Sequence, residues 1–270
     1  MYKLVQKYAF EPPRPSYRKK SVSYIPKANG EIPYILIRAK HNPQNTTIIY
    51  THGNAEDLGN LVEYLQMLSD HLNVNILGYD YQGYGYNGTI GDCSENACYE
   101  DIYCIYQFLI EHRGISSEQI ILYGRSIGSG PSIHLAAELC KSKSKRPLGG
   151  VILQSGFKSV VSVLSPSLTW VPFMDIFTNS TKISDIKVPI FIIHGELDYI
   201  VPFEHSVELL SLTQYPTHWW ISDAGHNDIE SRYKDELLIR LGNFIGTLSS
   251  HHYPAVENKS CFSFLLCGAQ

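Results

Sequence analysis

A chain of 270 residues with 44% hydrophobic and 18% charged residues can bury one large core and is too short for two ordinary domains. Its 22 Lys and Arg against 26 Asp and Glu leave a formal charge of −4, which argues against nucleic acid as the partner, because binders of a phosphate backbone carry a basic face. No run approaches the roughly 20 apolar residues needed to span a bilayer.

Met1 to Lys20 has prolines and charges where a signal peptide carries its apolar stretch, so a cytoplasmic address is expected. Residues 21–250 read as one domain, expected to be a monomer, between tails at 1–20 and 251–270. Six cysteines, Cys93, Cys98, Cys104, Cys140, Cys261 and Cys267, form no C-x-x-C pair and no Cys/His spacing of a zinc site. A reduced compartment suits them, and neither a metal nor another cofactor is expected. The sequons at Asn45, Asn87, Asn179 and Asn258 have meaning only in a secreted protein.

Along the chain, β-rich runs at 22–25 and 32–38 across Asn29-Gly30 predict an antiparallel hairpin. Strand-like runs at 46–51, 74–79, 120–123, 150–154, 189–194 and 217–221 then alternate with helical spacing at 58–72, 94–112, 127–140, 203–212 and 229–248. Such alternation predicts an α/β fold: a mostly parallel twisted sheet with helices on both faces, entered through the antiparallel hairpin. Residues 157–186 break the pattern and read as a small cap carrying Trp170, Phe173, Met174 and Phe177.

Chemistry enters at Gly124-Arg125-Ser126-Ile127-Gly128, which follows the apolar run 120–123 and leads through Ser129 and Gly130 into a predicted helix. This is the context of a G-x-S-x-G nucleophile elbow, whose glycines are required because a side chain beside the serine would clash in the tight turn. A serine hydroxyl needs a neighbouring base, and the base needs an orienting carboxylate. In the order Ser, acid, His these are read as Ser126, Asp198 and His226, the latter two just past the ends of predicted strands. Asp175, Asp223 and Asp228 compete for the acid's place, whereas Glu196 is expected to point to the other side of its turn.

The loop after the run 46–51, Thr51-His52-Gly53-Asn54-Ala55, stands where such a fold draws an oxyanion donor, so the backbone N–H groups of Asn54 and Ile127 are the expected pair. The alternative is that His52-Gly53 merely makes a tight turn. Gly78-Tyr79-Asp80-Tyr81-Gln82-Gly83-Tyr84-Gly85 lacks the Lys-Ser/Thr of a phosphate loop. Asp80 is expected to hold that loop through backbone N–H groups, with Tyr81 and Tyr84 on the pocket wall.

Taken together, His52-Gly53-Asn54-Ala55-Glu56-Asp57-Leu58-Gly59, the 79–85 loop, the elbow, Ile193-His194-Gly195-Glu196-Leu197-Asp198 and Ala224-Gly225-His226-Asn227-Asp228-Ile229-Glu230 resemble the alpha/beta-hydrolase domain-containing protein 17 type, protein depalmitoylases among the Bem46-like serine hydrolases. The likeness covers about residues 20–248. It implies an α/β-hydrolase fold, a triad at Ser126, Asp198 and His226, and hydrolysis of fatty acyl thioesters on membrane-bound proteins. On that reading Tyr81, Trp170, Phe173 and Met174 would line an acyl pocket; the other reading of these side chains is ordinary core packing. Animal members carry an N-terminal cysteine cluster, whereas this chain has no cysteine before Cys93. Its last residues instead present Cys261 and Cys267, the latter in a C-a-a-X form, as lipidation sites for peripheral membrane association, or else an apolar tail that docks on the domain. The rival enzyme is a carboxylesterase or lipase acting on small acyl esters. The rival of another class is a non-catalytic scaffold.

Overall fold

Alternation along the strands divides the apolar side chains between two cores, one on each face of a central sheet. Ile49 and Leu122 enter one core, while Ile48, Tyr50, Ile121 and Tyr123 enter the other. The computed structural model describes residues 5–6, 9–28, 30–89, 92–142, 147–164 and 175–248. Among them eight strands form the sheet: β1 (Ser23–Lys27), β2 (Gly30–Ile37), β3 (Thr47–Thr51), β4 (Asn75–Tyr79), β5 (Ile120–Arg125), β6 (Gly150–Gln154), β7 (Ile190–Gly195) and β8 (Pro216–Ile221). The spatial order is β1-β2-β4-β3-β5-β6-β7-β8. β2 pairs antiparallel with both β1 and β4, and every pairing beyond β4 is parallel. The parallel strands therefore end on one edge of the sheet, where the functional loops gather.

Helices α1 (Leu58–Leu72), α2 (Glu95–Arg113), α3 (Ser129–Lys141), α4 (Val160–Leu164), α5 (Glu204–Leu212), α6 (Ile229–Arg232) and α7 (Lys234–Leu248) follow the strands. α1 shows why such segments are helical and where they dock. Asp57 caps its first turn by accepting the Asn60 N–H, Leu58, Leu61, Leu65 and Leu68 bury one stripe, and Asn73 ends it in the left-handed region. Leu61, Leu65 and Leu68 of that stripe share a core with Leu237, Leu241 and Phe244 of α7, whereas Ile102, Ile105 and Leu109 of α2 and Ile133 of α3 fill the opposite face. No helix among the described residues is long and apolar enough to cross a membrane.

The predicted helix at 229–248 is two helices. Tyr233, at φ −118° and ψ 23°, leaves the helical region between them. Its hydroxyl bonds Asp223 and its ring meets Trp219 edge-on at 6.3 Å, so side-chain contacts to the preceding strand and loop outweigh continued helix there. The predicted helix at 127–140 likewise begins only at Ser129, after a 3₁₀ turn over Ser126–Gly128. Trp170, Phe173 and Met174 of the expected cap, and the tail with Cys261 and Cys267, lie outside the described residues. Phe177, expected in the cap, is instead fully buried core, edge-on to Phe10 at 5.9 Å and Phe157 at 6.3 Å.

Candidate active site

β5 delivers Ser126 at the sheet's carboxyl edge in a strained turn. The serine has φ +51°, a left-handed conformation that L-residues adopt rarely and at a cost of about 1–3 kcal/mol. Both flanking glycines are dictated by space. A Cβ on Gly124 would stand 2.6 Å from the Gly128 carbonyl oxygen, and one on Gly128 would collide with the Thr51 carbonyl. Thr51 braces the turn from β3, its Oγ1 lying 2.9 Å from the carbonyl oxygens of both Tyr123 and Gly128 and 2.7 Å from Ser132 Oγ.

Residues distant in sequence converge on that serine. His226, beyond β8, places Nε2 3.0 Å from Ser126 Oγ and Nδ1 2.6 Å from Asp198 Oδ2. A neutral imidazole so placed donates from Nδ1 and accepts at Nε2. Asp198, beyond β7, accepts at Oδ1 from the backbone N–H groups of Ile200 at 2.9 Å and Val201 at 2.8 Å. His194 supplies a further donor: its Nε2 faces Asp198 Oδ2 at 3.1 Å and the Val201 carbonyl at 3.0 Å, two acceptors that place the proton on that nitrogen. Ser206 Oγ holds the other ring nitrogen at 2.6 Å. Burial by itself raises the Asp198 pKa, but the hydrogen bonds from His194 and His226 outweigh it and hold the carboxyl well below the usual range.

The aspartates that competed in sequence are engaged elsewhere. Asp175 accepts from the Val161 and Ile176 N–H groups, Asp228 from Gly225 N–H and Arg232, and Asp223 pairs with Arg232 and Tyr233 on the surface. Glu196 is exposed.

Ser126 and His226 open onto a cavity of about 500 Å³, within the usual range for small-molecule sites. Phe157, Val160, Val163, Leu164, Ile200 and Val201 contribute apolar lining, and Glu11, Glu56 and Arg125 contribute polar lining. Asn54 and Ile127 both line this cavity with Ser126. The Asn54 side chain serves a purpose the sequence did not reveal. Its Oδ1 accepts from Glu11 N–H at 2.9 Å and Tyr84 hydroxyl at 2.5 Å, and its Nδ2 donates to the Ala9 carbonyl at 2.9 Å. The segment around Ala9 and Glu11 is thereby fixed as part of the pocket rim.

Tyr81 and Tyr84 do not line the pocket. Both are essentially without exposed surface, because their hydroxyls are satisfied inward, Tyr81 by the His52 carbonyl at 2.7 Å and Tyr84 by Asn54. Asp80 accepts a backbone N–H as expected, but from Leu58 at the start of α1, at 3.0 Å, rather than from its own loop, and it accepts from the Tyr17 hydroxyl at 2.5 Å. Burial pushes its pKa up to about 7 against the opposing pull of the Tyr17 hydrogen bond.

Arg125 is the residue that motif reasoning passed over. It is 8% exposed and engages a neighbour with each guanidinium nitrogen: Nε with Glu230 at 2.6 Å, Nη1 with Glu56 at 3.2 Å and Nη2 with Asn227 at 3.0 Å. Burial alone would weaken its charge, but Glu230 and Glu56 outweigh that and hold it more firmly protonated than an ordinary arginine. Its partners lie 69, 102 and 105 residues away, so no local pattern in the sequence pointed to it.

No protein-family model matches the chain. Curated relatives do. The chain is 36% identical over 217 residues to human alpha/beta hydrolase domain-containing protein 17B, covering 80% of this chain and 71% of that protein. It is 37% identical over 202 residues to alpha/beta hydrolase domain-containing protein aho-3 of Caenorhabditis elegans, covering 74% of this chain and 57% of that one. Protein 17B of Xenopus laevis is matched at 38% over 200 residues, 74% of this chain and 66% of its own length. The chain thus spans less than two thirds of the latter two relatives.

Among solved structures it is similar to Est1E from Butyrivibrio proteoclasticus with ferulic acid bound, at TM-score 0.69 and 16% identity over 85% of this chain and all of that one. A monoacylglycerol lipase from Paleococcus ferrophilus matches at TM-score 0.62 and 18% identity, over 81% of this chain and 99% of that one. These likenesses establish an α/β-hydrolase fold.

Proposed function

The chain belongs to the alpha/beta hydrolase domain-containing protein 17 family, a family of α/β hydrolases, and on that premise we propose that it is a serine hydrolase that cleaves fatty acyl thioesters from S-acylated proteins through an acyl-enzyme on Ser126. The observation that carries the reading is the hydrogen-bonded series Ser126, His226, Asp198, with Ser126 and His226 lining a cavity that is partly apolar.

Ser126 Oγ attacks the acyl carbonyl carbon while His226 Nε2 takes its proton, and ionised Asp198 stabilises the imidazolium that forms. The N–H groups of Ile127 and Asn54 hold the developing oxyanion. Collapse breaks the carbon–sulfur bond, and His226 returns its proton to the leaving cysteine sulfur. Water then attacks the acyl-enzyme, again giving a proton to His226, and the fatty acid departs as Ser126 is regenerated. Phe157, Val160, Val163, Leu164, Ile200 and Val201 would hold the acyl chain, since their contact with hydrocarbon removes apolar surface from water.

Protein substrates of this kind sit at membranes, so the reading includes peripheral membrane association, with Cys261 and Cys267 as the proposed anchors. Replacement of both by Ser should move the protein from the membrane to the supernatant fraction; unchanged fractionation would remove that part alone. The decisive assay compares turnover of a palmitoyl-cysteine peptide with that of a short-chain ester. Faster release from the palmitoyl peptide is expected, and preference for the short ester would shift the substrate to small acyl esters while leaving the serine mechanism in place.

A further inference from the structure

We propose that Arg125 is the positioning residue of this site, setting the turn that carries Asn54 and the loop that carries His226 in register with Ser126 through a single guanidinium. The inference rests on the serine-hydrolase reading and adds a component that the G-x-S-x-G pattern leaves open, since Arg125 occupies its unspecified first position.

Arg125 immediately precedes Ser126 on the rigid end of β5, so its side chain is referenced to the nucleophile. Its Nη1 meets Glu56 Oε1, and the other oxygen of that carboxylate accepts the Gly53 N–H at 2.7 Å. Glu56 therefore transmits the position of Arg125 to the turn bearing the Asn54 N–H. On the opposite side, Nη2 meets the side chain of Asn227, the residue after the base, and Nε meets Glu230 in α6. Glu230 is secured in turn by Gln154 of β6, whose Nε2 donates to the same oxygen at 2.8 Å. Three partners, 69, 102 and 105 residues away in sequence, thus meet one planar group. A guanidinium fixes the angles among three acceptors, whereas an ammonium group supplies the charge without the planar fork. Sites of this kind lose rate when donor and base drift by a fraction of an ångström.

The test uses the full-length protein, with active sites counted by fluorophosphonate labelling and turnover of a chromogenic medium-chain acyl ester measured per labelled site. Arg125→Gln is expected to lower kcat about 10- to 100-fold with KM within about twofold, and to slow labelling in parallel, the pattern of an interaction made only in the transition state. Arg125→Lys should recover part of the loss. Wild-type kcat per labelled site in Arg125→Gln, even with a lowered Tm, would show that the arginine only stabilises the fold and would overturn the proposal. A raised KM with unchanged kcat would overturn it too, by making Arg125 a substrate contact. If Arg125→Gln does not fold, Glu56→Gln and Glu230→Gln decide: a lowered kcat at constant KM in either supports the proposal, and unchanged kcat in both sinks it. Failure of the wild-type protein to label would instead remove the serine-hydrolase reading itself.

Discussion

Two aspartates stand past the carboxyl ends of two parallel strands, Asp80 directly after β4 and Asp198 beyond β7, and both are almost wholly buried, at 0% and 6% exposure. Their protonation is driven in opposite directions. Asp198 has two backbone N–H donors and two imidazoles around it and is held ionised. Asp80 has one backbone donor and one phenol, with the Asp57 carboxylate adding to its cost of ionisation, and is pushed up to about 7. Buried carboxyls are neutralised by desolvation unless enough donors replace the lost water. A charged acid in this fold is therefore a property of the loop that surrounds it, and the β7 loop is built for it where the β4 loop is not.

Substitution is the strongest way to break that comparison. Asp198→Asn should lower kcat on the order of 10³- to 10⁴-fold, since the amide cannot hold the same imidazole tautomer, whereas Asp80→Asn should leave kcat per labelled site within about twofold. Similar losses in the two variants would erase the distinction.

A smaller effect is expected from His194→Leu, which removes one donor to Asp198: roughly tenfold in kcat, the size expected for one hydrogen bond to a charged group. Wild-type kinetics in that variant would mean that the backbone donors and His226 suffice.

On the other side of the comparison, Tyr17→Phe should destabilise the fold by about 1–3 kcal/mol at pH 8, where Asp80 is ionised, and by less at pH 5. Urea unfolding at the two pH values reads the difference; equal losses would show that the phenol does not support the charged form.

The smallest signal is a slope. Because the folded-state pKa of Asp80 is raised to about 7, above the unfolded value, its contribution to stability is fully present below the ordinary carboxylate pKa of about 3.9 and is lost as pH rises through 7. The urea midpoint of Asp80→Asn should therefore fall less steeply than that of the wild type between pH 5 and pH 8. Parallel slopes would mean that Asp80 titrates alike in the folded and unfolded chain.

Much of this arrangement was legible in the sequence, for a reason that differs from residue to residue. The elbow could be read because its glycines are forced by backbone collisions around Ser126, and His226 because it stands just past the last strand in the required order. Asp198 could be chosen among four aspartates by chain order together with its place just past a predicted strand, and it was geometry that showed the others engaged. Tyr81 was misread because a tyrosine in a loop beside the site has two uses, and only the His52 carbonyl decides which one its hydroxyl serves. Arg125 stayed hidden because its partners are brought to it by the sheet order, which no local pattern contains. The break at Tyr233 was invisible for a related reason: helical spacing continues through it, and the contacts with Asp223 and Trp219 that interrupt the helix come from an earlier strand and loop.

The placement of β8 at the rim of the sheet has a temporal consequence. The proposed nucleophile and base are 100 residues apart in sequence, and the base follows the last strand among the described residues, which pairs there with β7 alone. During refolding or synthesis, the earlier strands can assemble with Ser126 already in its turn and still be chemically mute. Reactivity would switch on when the final strand closes against its single neighbour, so the rate at which a refolding sample becomes labelled would serve as a stopwatch for that closing event.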